Sequence, residues 1–336
     1  MKLSTLADLF RKGQLLLMFN LLTSVGHFYR LTFAAAASKS GVLEALAGGS
    51  LPFERLADKF CRDAASHDGL RAWLQMGISL KELQLAEGGY ALAGYSKKFT
   101  QPHNDALRAI VDEVVTLHHP MILETPEFLS QGKQWEIGDY DGELIARSSR
   151  ILEPLQKEAI AGAFPTSGPV RLLEVGCGSG VYIAYAAGRN PGLSALGLEL
   201  QPRVAEMARQ NLADWGLSDR IQVEAGDIRH KSPSETFDIV TLYNNIYYFP
   251  VEERLDLLKH LRGFVKPGGF LLLTTYCQGG SPGSEALNLW GATTSGCGRL
   301  PSVDELVALL RKAGFGRAQA ASLMPGDKFY AFEAWN

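Results

Sequence analysis

Short apolar runs and helical stretches take turns along the C-terminal half of this chain. Val170–Val175, Leu196–Leu200, Ile221–Ala225, Phe237–Tyr243 and Phe270–Tyr276 have the length and bounding residues of buried strands. Between them Val181–Arg189, Pro202–Trp215 and Val251–Val265 read as helices. Such alternation predicts a parallel sheet covered by helices on both faces. Pro267-Gly268-Gly269 is a turn that feeds the fifth strand. Ser302-Val-Asp-Glu305 is a capping box: each side chain satisfies a backbone N–H at the start of a helix, here one that ends near Gly314. Two further strands, Ala318–Leu323 and Phe329–Trp335, flank Pro325-Gly326-Asp327. That is a hairpin signal, so the last strand should run antiparallel.

The N-terminal pattern differs. Gly41–Leu46, Phe53–Phe60 and Leu70–Leu80 are helical, and an apolar hairpin, Leu83–Leu92, turns at Gly88-Gly89. Three helices and a hairpin make a winged-helix shape. The expected organisation is a helical domain over 1–105, a helical connector over 106–165 and an α/β domain over 166–336. Near the start, Arg11 and Lys12 precede the apolar run Leu15–Leu22, which gives a superficial look of a secretion signal. Gln14, Asn20, His27 and Arg30 interrupt the stretch, and it is too short to span a bilayer. A helix buried against its own domain or a second subunit is the reading, ahead of peripheral membrane contact.

Composition narrows the function. The 336 residues are 46% hydrophobic and 21% charged with a formal charge of −3, which suits a globular protein and leaves no electrostatic footprint for nucleic acid. The stretch Ala64–Ile78, where a winged helix would read DNA, offers only Arg71 and His67 as cations. Cys61, Cys177, Cys277 and Cys297 are scattered, without zinc-ligand spacing or a disulfide framework, so a reduced, cytoplasmic setting fits.

The chemistry begins at Leu172-Leu-Glu-Val-Gly-Cys-Gly-Ser-Gly180, a strand that runs through a glycine turn into a helix. Gly176, Gly178 and Gly180 remove three Cβ atoms where the backbone turns tightly and a ligand can approach. Cys177 supplies a small packing side chain there. A G-x-G-x-G turn also fits a nicotinamide dinucleotide fold, but five parallel strands closed by a hairpin are not the expected end of that fold. With Glu174 two residues before the first glycine, the stretch resembles motif I of class I S-adenosylmethionine (SAM) methyltransferases. Gly41-Val-Leu-Glu-Ala-Leu46, Pro52-Phe-Glu-Arg-Leu-Ala57 and Gly89-Tyr-Ala-Leu92 together resemble the dimerisation domain of small-molecule O-methyltransferases, and the likeness continues through Ala106–Gly162. The resemblance implies a seven-stranded, mostly parallel Rossmann-like sheet with an antiparallel last strand. It also implies SAM as methyl donor, S-adenosylhomocysteine (SAH) as product, a small-molecule acceptor and a homodimer, without a metal.

It further implies roles for particular residues. Gly176, Gly178 and Gly180 approach the methionyl and ribose portion, and Glu174 meets the ammonium directly or through water. Glu199 accepts from the ribose diol, flanked by Leu200 and Gln201. Asp227 accepts from the adenine amino group, with the Ile228 backbone against the ring. Three strand ends, each with an acid, fit the rule that ligands of open α/β sheets bind outside the carboxyl ends of the strands. Asn244 lies beside the sulfonium, and Tyr140 is a wall over the cofactor. The transfer is an in-line displacement, helped by positioning and desolvation.

One departure concerns the acceptor. Many members of the resembled family carry a histidine base after the fourth strand. Alignment on Pro250 puts Tyr247 at that place in Asn245-Ile-Tyr-Tyr-Phe-Pro250. A phenol is a poor base near neutral pH. His118, His119 and His260 are the remaining imidazole candidates. An acceptor that needs little deprotonation, such as a carboxylate, thioether or amine, is favoured over the O-methylation usual in the family; carbon methylation of a keto acid or enol is an alternative. Tyr243, Tyr247, Tyr248, Phe249 and Trp290 suggest an aromatic pocket, and Arg147 and Arg150 are candidates for an acceptor carboxylate. A reading of another class, a SAM-sensing winged-helix DNA-binding regulator, is disfavoured by the near-neutral face of Ala64–Ile78.

Overall fold

The apolar N-terminal pattern folds as two helices, α1 (Leu3–Arg11) and α2 (Gln14–Ser40), joined at Gly13. The computed structural model describes residues 3–336. Only the second half of α2 meets a core: Phe33, Ala34, Ala35 and Ala37 are buried. Leu16, Leu17, Phe19, Leu21 and Leu22 remain 59–72% exposed. The expectation that this run packs on its own domain is therefore not met, because its apolar residues surround the helix and no single stripe can bury them all.

The chain forms two compact units. One runs to Pro120 and adds Tyr140–Ile151; the other holds Met121–Asp139 and Leu152–Asn336. In the first, α3 (Val42–Leu46), α4 (Phe53–Phe60) and α5 (His67–Ser79) precede the antiparallel hairpin of β1 (Leu83–Ala86) and β2 (Gly89–Leu92). Leu43, Leu46, Leu56, Leu74 and Leu83 close a core against Phe33 and Ala34. The buried Glu82 carboxylate is satisfied by Arg30 Nε at 2.6 Å and by the Ser96 amide at 2.6 Å. Then come α6 (Gly94–Phe99), α7 (Asp105–Glu113), α8 (His119–Ser130), which passes into the second unit, and α9 (Gly142–Ser149).

The second unit is built on α10 (Glu153–Ala163), β3 (Val170–Val175), α11 (Val181–Arg189), β4 (Leu193–Glu199), α12 (Pro202–Asp214), β5 (Ile221–Ala225) and β6 (Phe237–Tyr243). It continues with α13 (Arg254–Phe264), β7 (Val265–Tyr276), α14 (Pro282–Thr293), α15 (Val303–Lys312), β8 (Arg317–Ser322) and β9 (Phe329–Trp335). The seven strands are ordered β5-β4-β3-β6-β7-β9-β8. The first five are parallel, and β9 runs antiparallel to both neighbours. This is the expected seven-stranded, mostly parallel sheet. The expected capping box is present, with Glu305 N donating to Ser302 Oγ at 3.1 Å and Ser302 N to Glu305 Oε2 at 3.2 Å.

Several element boundaries differ from expectation, among them those of β4 and β7. β4 starts at Leu193 and ends at Glu199, leaving Leu200 outside the strand. β7 starts at Val265, so Pro267-Gly268-Gly269 lies inside the strand, where the register with β6 shifts. Side-chain alternation splits the sheet into two cores. Leu173, Val240 and Leu271 pack with Leu258 and Leu306 on one face; Leu172, Ile239 and Leu272 pack with Ile160, Ile183 and Leu212 on the other. Successive strands leave β3 in one direction through β4 and β5, and in the other through β6 and β7. A crevice at such a switch point is where α/β sheets hold ligands.

Candidate functional site

β3 ends at this switch point in the glycine turn. Gly176, Gly178 and Gly180 adopt φ of 71°, 53° and 79°, a left-handed backbone that glycine takes without strain. The amides of Gly176 and Cys177 both donate to the Leu198 carbonyl, at 2.7 and 3.2 Å, which stitches the turn to β4. On the other side Asn245 Nδ2 donates to the Val175 carbonyl at 3.1 Å. A Cβ on Gly176 would stand 2.1 Å from that amide nitrogen, so the space belongs to Asn245. Cys177 is buried, and burial pushes its thiol far up. It packs in the core beside Ile183 and Leu172.

At the end of β4, Glu199 accepts from Gly178 N at 3.0 Å and from Gln201 N at 3.1 Å. Its carboxylate thereby bridges the glycine turn and the next loop, and each oxygen keeps a lone pair for another donor. Leu200 beside it is exposed. After β5, Asp227 accepts from the Arg229 amide at 2.9 Å and from its guanidinium at 2.8–3.1 Å. Arg229 holds this carboxyl below the usual range. Ile228 is buried and its carbonyl lies 2.8 Å from His260 Nε2, which gives that histidine a structural partner.

The carboxyl ends of β3 and β6 carry a different kind of group. Glu174 is 1% exposed. Neither of its oxygens has a hydrogen-bond partner among the described residues, and burial pushes its pKa well up. The Tyr243 hydroxyl is buried without a partner too; burial, followed by the charge of Glu174, raises it. Asn244 takes φ of 52°, unusual for a residue with a side chain, and its buried Oδ1 is also unpartnered. Buried polar atoms normally find partners. Orphans gathered beside a glycine turn are what a polar ligand would complete, so these residues fit SAM, with its ammonium, ribose and adenine.

The stretch after β6 winds into a short 3₁₀ turn, Ile246–Tyr248. Tyr247 is buried and meets Trp290 edge-on at 6.0 Å; Tyr248 meets the same ring at 5.3 Å. The Tyr247 carbonyl accepts from Gly298 N at 2.9 Å. Fully buried Arg254 donates to the carbonyls of Phe249 at 3.1 Å and Arg299 at 2.7 Å, so it ties the two loops together. Burial lowers its pKa to about 10. A Cβ on Gly298 would stand 2.7 Å from Arg254 Nη2 and 2.9 Å from the Phe249 carbonyl.

Other candidates fall in the first unit. Arg147 is committed to Asp105, with Nη2 at 2.5 Å and Nε at 3.1 Å. His118 faces Glu113 at 3.3 Å, and His119 lies against Phe28 with ring centres 5.2 Å apart. Tyr140 opens the segment Tyr140–Ile151, and Arg150 is exposed near its end. Among the described residues no three His, Cys, Asp or Glu side chains gather as a metal site, and no helix is long and apolar enough to cross a membrane.

Residues 173–271 match a family model described as a methyltransferase domain. The match takes in the glycine turn and all three strand-end acids. The chain has the fold of the solved mitomycin 7-O-methyltransferase MmcR, with a TM-score of 0.78 over 97% of this chain and 99% of that one at 20% identity. Residues 173–271 are thus a methyltransferase domain, and the chain is similar to small-molecule O-methyltransferases. Demethylspheroidene O-methyltransferase of Rhodobacter capsulatus is 25% identical over 82% of this chain and 71% of that protein. Aclacinomycin 10-hydroxylase RdmB of Streptomyces purpurascens is 33% identical over 52% of this chain, and the match spans 48% of that protein. Glu174, Glu199 and Gly226-Asp227 come together at the carboxyl ends of adjacent strands β3, β4 and β5. Asn245 and Arg254 join them as residues that had no sequence signal: each acts on a carbonyl that only the fold brings near.

Proposed function

We propose that this methyltransferase methylates a small-molecule acceptor that attacks without a histidine base, and that it works as a homodimer. The observation that supports the acceptor reading is Tyr247, packed against Trp290, the residue that alignment on Pro250 would set in place of the usual base. The three imidazole candidates have partners elsewhere: His118 with Glu113, His119 with Phe28 and His260 with the Ile228 carbonyl. Carboxylates, thioethers and unprotonated amines carry a lone pair that can attack without a strong base, whereas a phenol near its ordinary pKa of about 10 stays protonated at neutral pH.

SAM supplies an electrophilic methyl group on a cationic sulfur. Glu174 would hold its ammonium and Glu199 its ribose diol, with Leu200 and Gln201 alongside. Asp227 and the Ile228 backbone would take the adenine, with Arg229 sharing the Asp227 oxygens. Asn244 would present its amide oxygen beside the sulfonium. Tyr243, Tyr248 and Trp290 would keep water from the transfer.

The test is SAH formation with a panel of phenol, carboxylate, thioether and amine acceptors. Turnover should appear with the last three classes, and Tyr247→Phe should lower it while leaving SAH affinity unchanged by calorimetry. Turnover confined to phenols would overturn the acceptor reading.

A further inference from the structure

Glu174 stands opposite Thr241 in the β3–β6 pairing, and Tyr243 stands opposite Thr274 in the β6–β7 pairing. By strand alternation all four side chains share the face that carries Leu172, Ile239 and Leu272. There α10 adds Gln156, fully buried, whose Oε1 accepts from Thr274 Oγ1 at 2.7 Å. Both Glu174 oxygens, Thr241 Oγ1, Tyr243 Oη and Gln156 Nε2 are buried without a closed hydrogen bond. Thr241 and Tyr243 stand two positions apart on β6, so both hydroxyl side chains are on this face. Among the described residues this is a buried polar cluster with one carboxyl group and no cation.

An ionised carboxylate buried without donors is strongly disfavoured, whereas the neutral acid is tolerated. The titratable neighbours do not change that. Cys177 from the turn and Tyr243 from β6 are both held neutral by burial. Tyr182 from α11 stands edge-on to Tyr243 at 5.5 Å, and Glu199, which bears on Cys177, adds negative charge. Gln156 from α10 and Thr274 from β7 carry none. An arriving ammonium would reverse the balance, because it brings opposite charge and N–H donors together.

We infer that cofactor binding expels one proton from Glu174: the ligand-free site holds a neutral carboxylic acid, and the ammonium of a bound amino-acid moiety takes that proton's place. The Glu174 O–H bond breaks, its electron pair stays on the carboxylate and the proton goes to solvent. Tyr243 and Thr241 then gain a charged acceptor to donate to. The inference rests on the cofactor reading above, and it adds that the methyltransferase distinguishes ligands with a free ammonium from adenosine compounds without one by a change in protonation.

Calorimetry of SAH binding at pH 7 in phosphate and in Tris, whose ionisation enthalpies differ, tests this directly. Wild type should release about one proton per SAH bound, and SAH affinity should rise with pH by up to about tenfold per unit. 5′-Methylthioadenosine, which has the adenosine and sulfur but no ammonium, should bind without proton release. Glu174→Gln should bind SAH more weakly and release none. SAH binding to wild type with equal enthalpy in both buffers, or a proton still released by Glu174→Gln, would overturn the inference and leave the cofactor reading standing. Failure of both SAH and 5′-methylthioadenosine to bind would overturn the cofactor reading and the inference with it.

Discussion

Two carboxylates one strand apart face opposite conditions. Glu199 takes two backbone amides and has outward lone pairs; Glu174 takes none. Glu199→Ala removes a ligand contact and the link between Gly178 and Gln201, so SAM affinity should fall at least about tenfold, the loss of one good hydrogen bond; an unchanged calorimetric Kd would sink the ribose assignment. For Glu174 the effect lies on stability. Its folded-state pKa is above the ordinary value of 4.5, so its contribution is complete below that value and is lost as pH rises toward the folded one. The ligand-free Glu174→Gln variant should therefore melt higher than wild type at pH 8, with the gap closing toward pH 4.5; a gap independent of pH would contradict the burial of an unpartnered acid. These acids were legible in the sequence because a strand-end acid beside a glycine turn is a local pattern. Asn245 was not: its contact with Val175 spans 70 positions of chain, and nothing near it in sequence requires an amide.

At the scale of elements, the sequence marked β3, β5, β6, α4 and α11 to the residue, because each is an apolar run with clear bounds. It misplaced the start of β7, where a Pro-Gly-Gly turn signal is overridden by pairing of Val265 with Phe237. The clamp around Tyr247 was invisible for a related reason. Arg254 looks like one more helix charge until Phe249 and Arg299 fold against it. Gly298→Ala would force a methyl group between Arg254 and the Phe249 carbonyl. Overpacking of this sort costs about 1–3 kcal/mol. The variant should melt several degrees below wild type by calorimetric scan, with SAH affinity retained because the turn at Gly176–Gly180 is untouched; an unchanged melting temperature would mean that the two loops are not tightly joined.

For the whole molecule, the first half of α2 is an exposed apolar surface. Leu16, Leu17, Phe19, Leu21 and Leu22 expose most of their area on several sides of the helix. Full burial of each is worth about 1.5–3 kcal/mol, enough together to support an association between copies. The protein should therefore show the mass of two chains by light scattering, and the double variant Leu17→Glu with Phe19→Glu should show the mass of one. A single-chain mass for wild type would remove the homodimer from the proposal. The sequence singled out this run and named a second subunit as one way to cover it, but only the exposure of every side of the helix shows that its own unit does not.

The strand order also bears on how the sheet is assembled. β9 lies between β7 and β8, although β8 comes first along the chain. β8 thus has no neighbour to join until β9 exists, and β7 keeps a bare edge until the same moment. The two late strands are expected to zip into a hairpin first and then dock as one piece, closing the sheet in a single late event. A newly made chain caught before that event would display β7 as a sticky rim, so the interval between making β7 and making β9 is when this protein has most need of a chaperone.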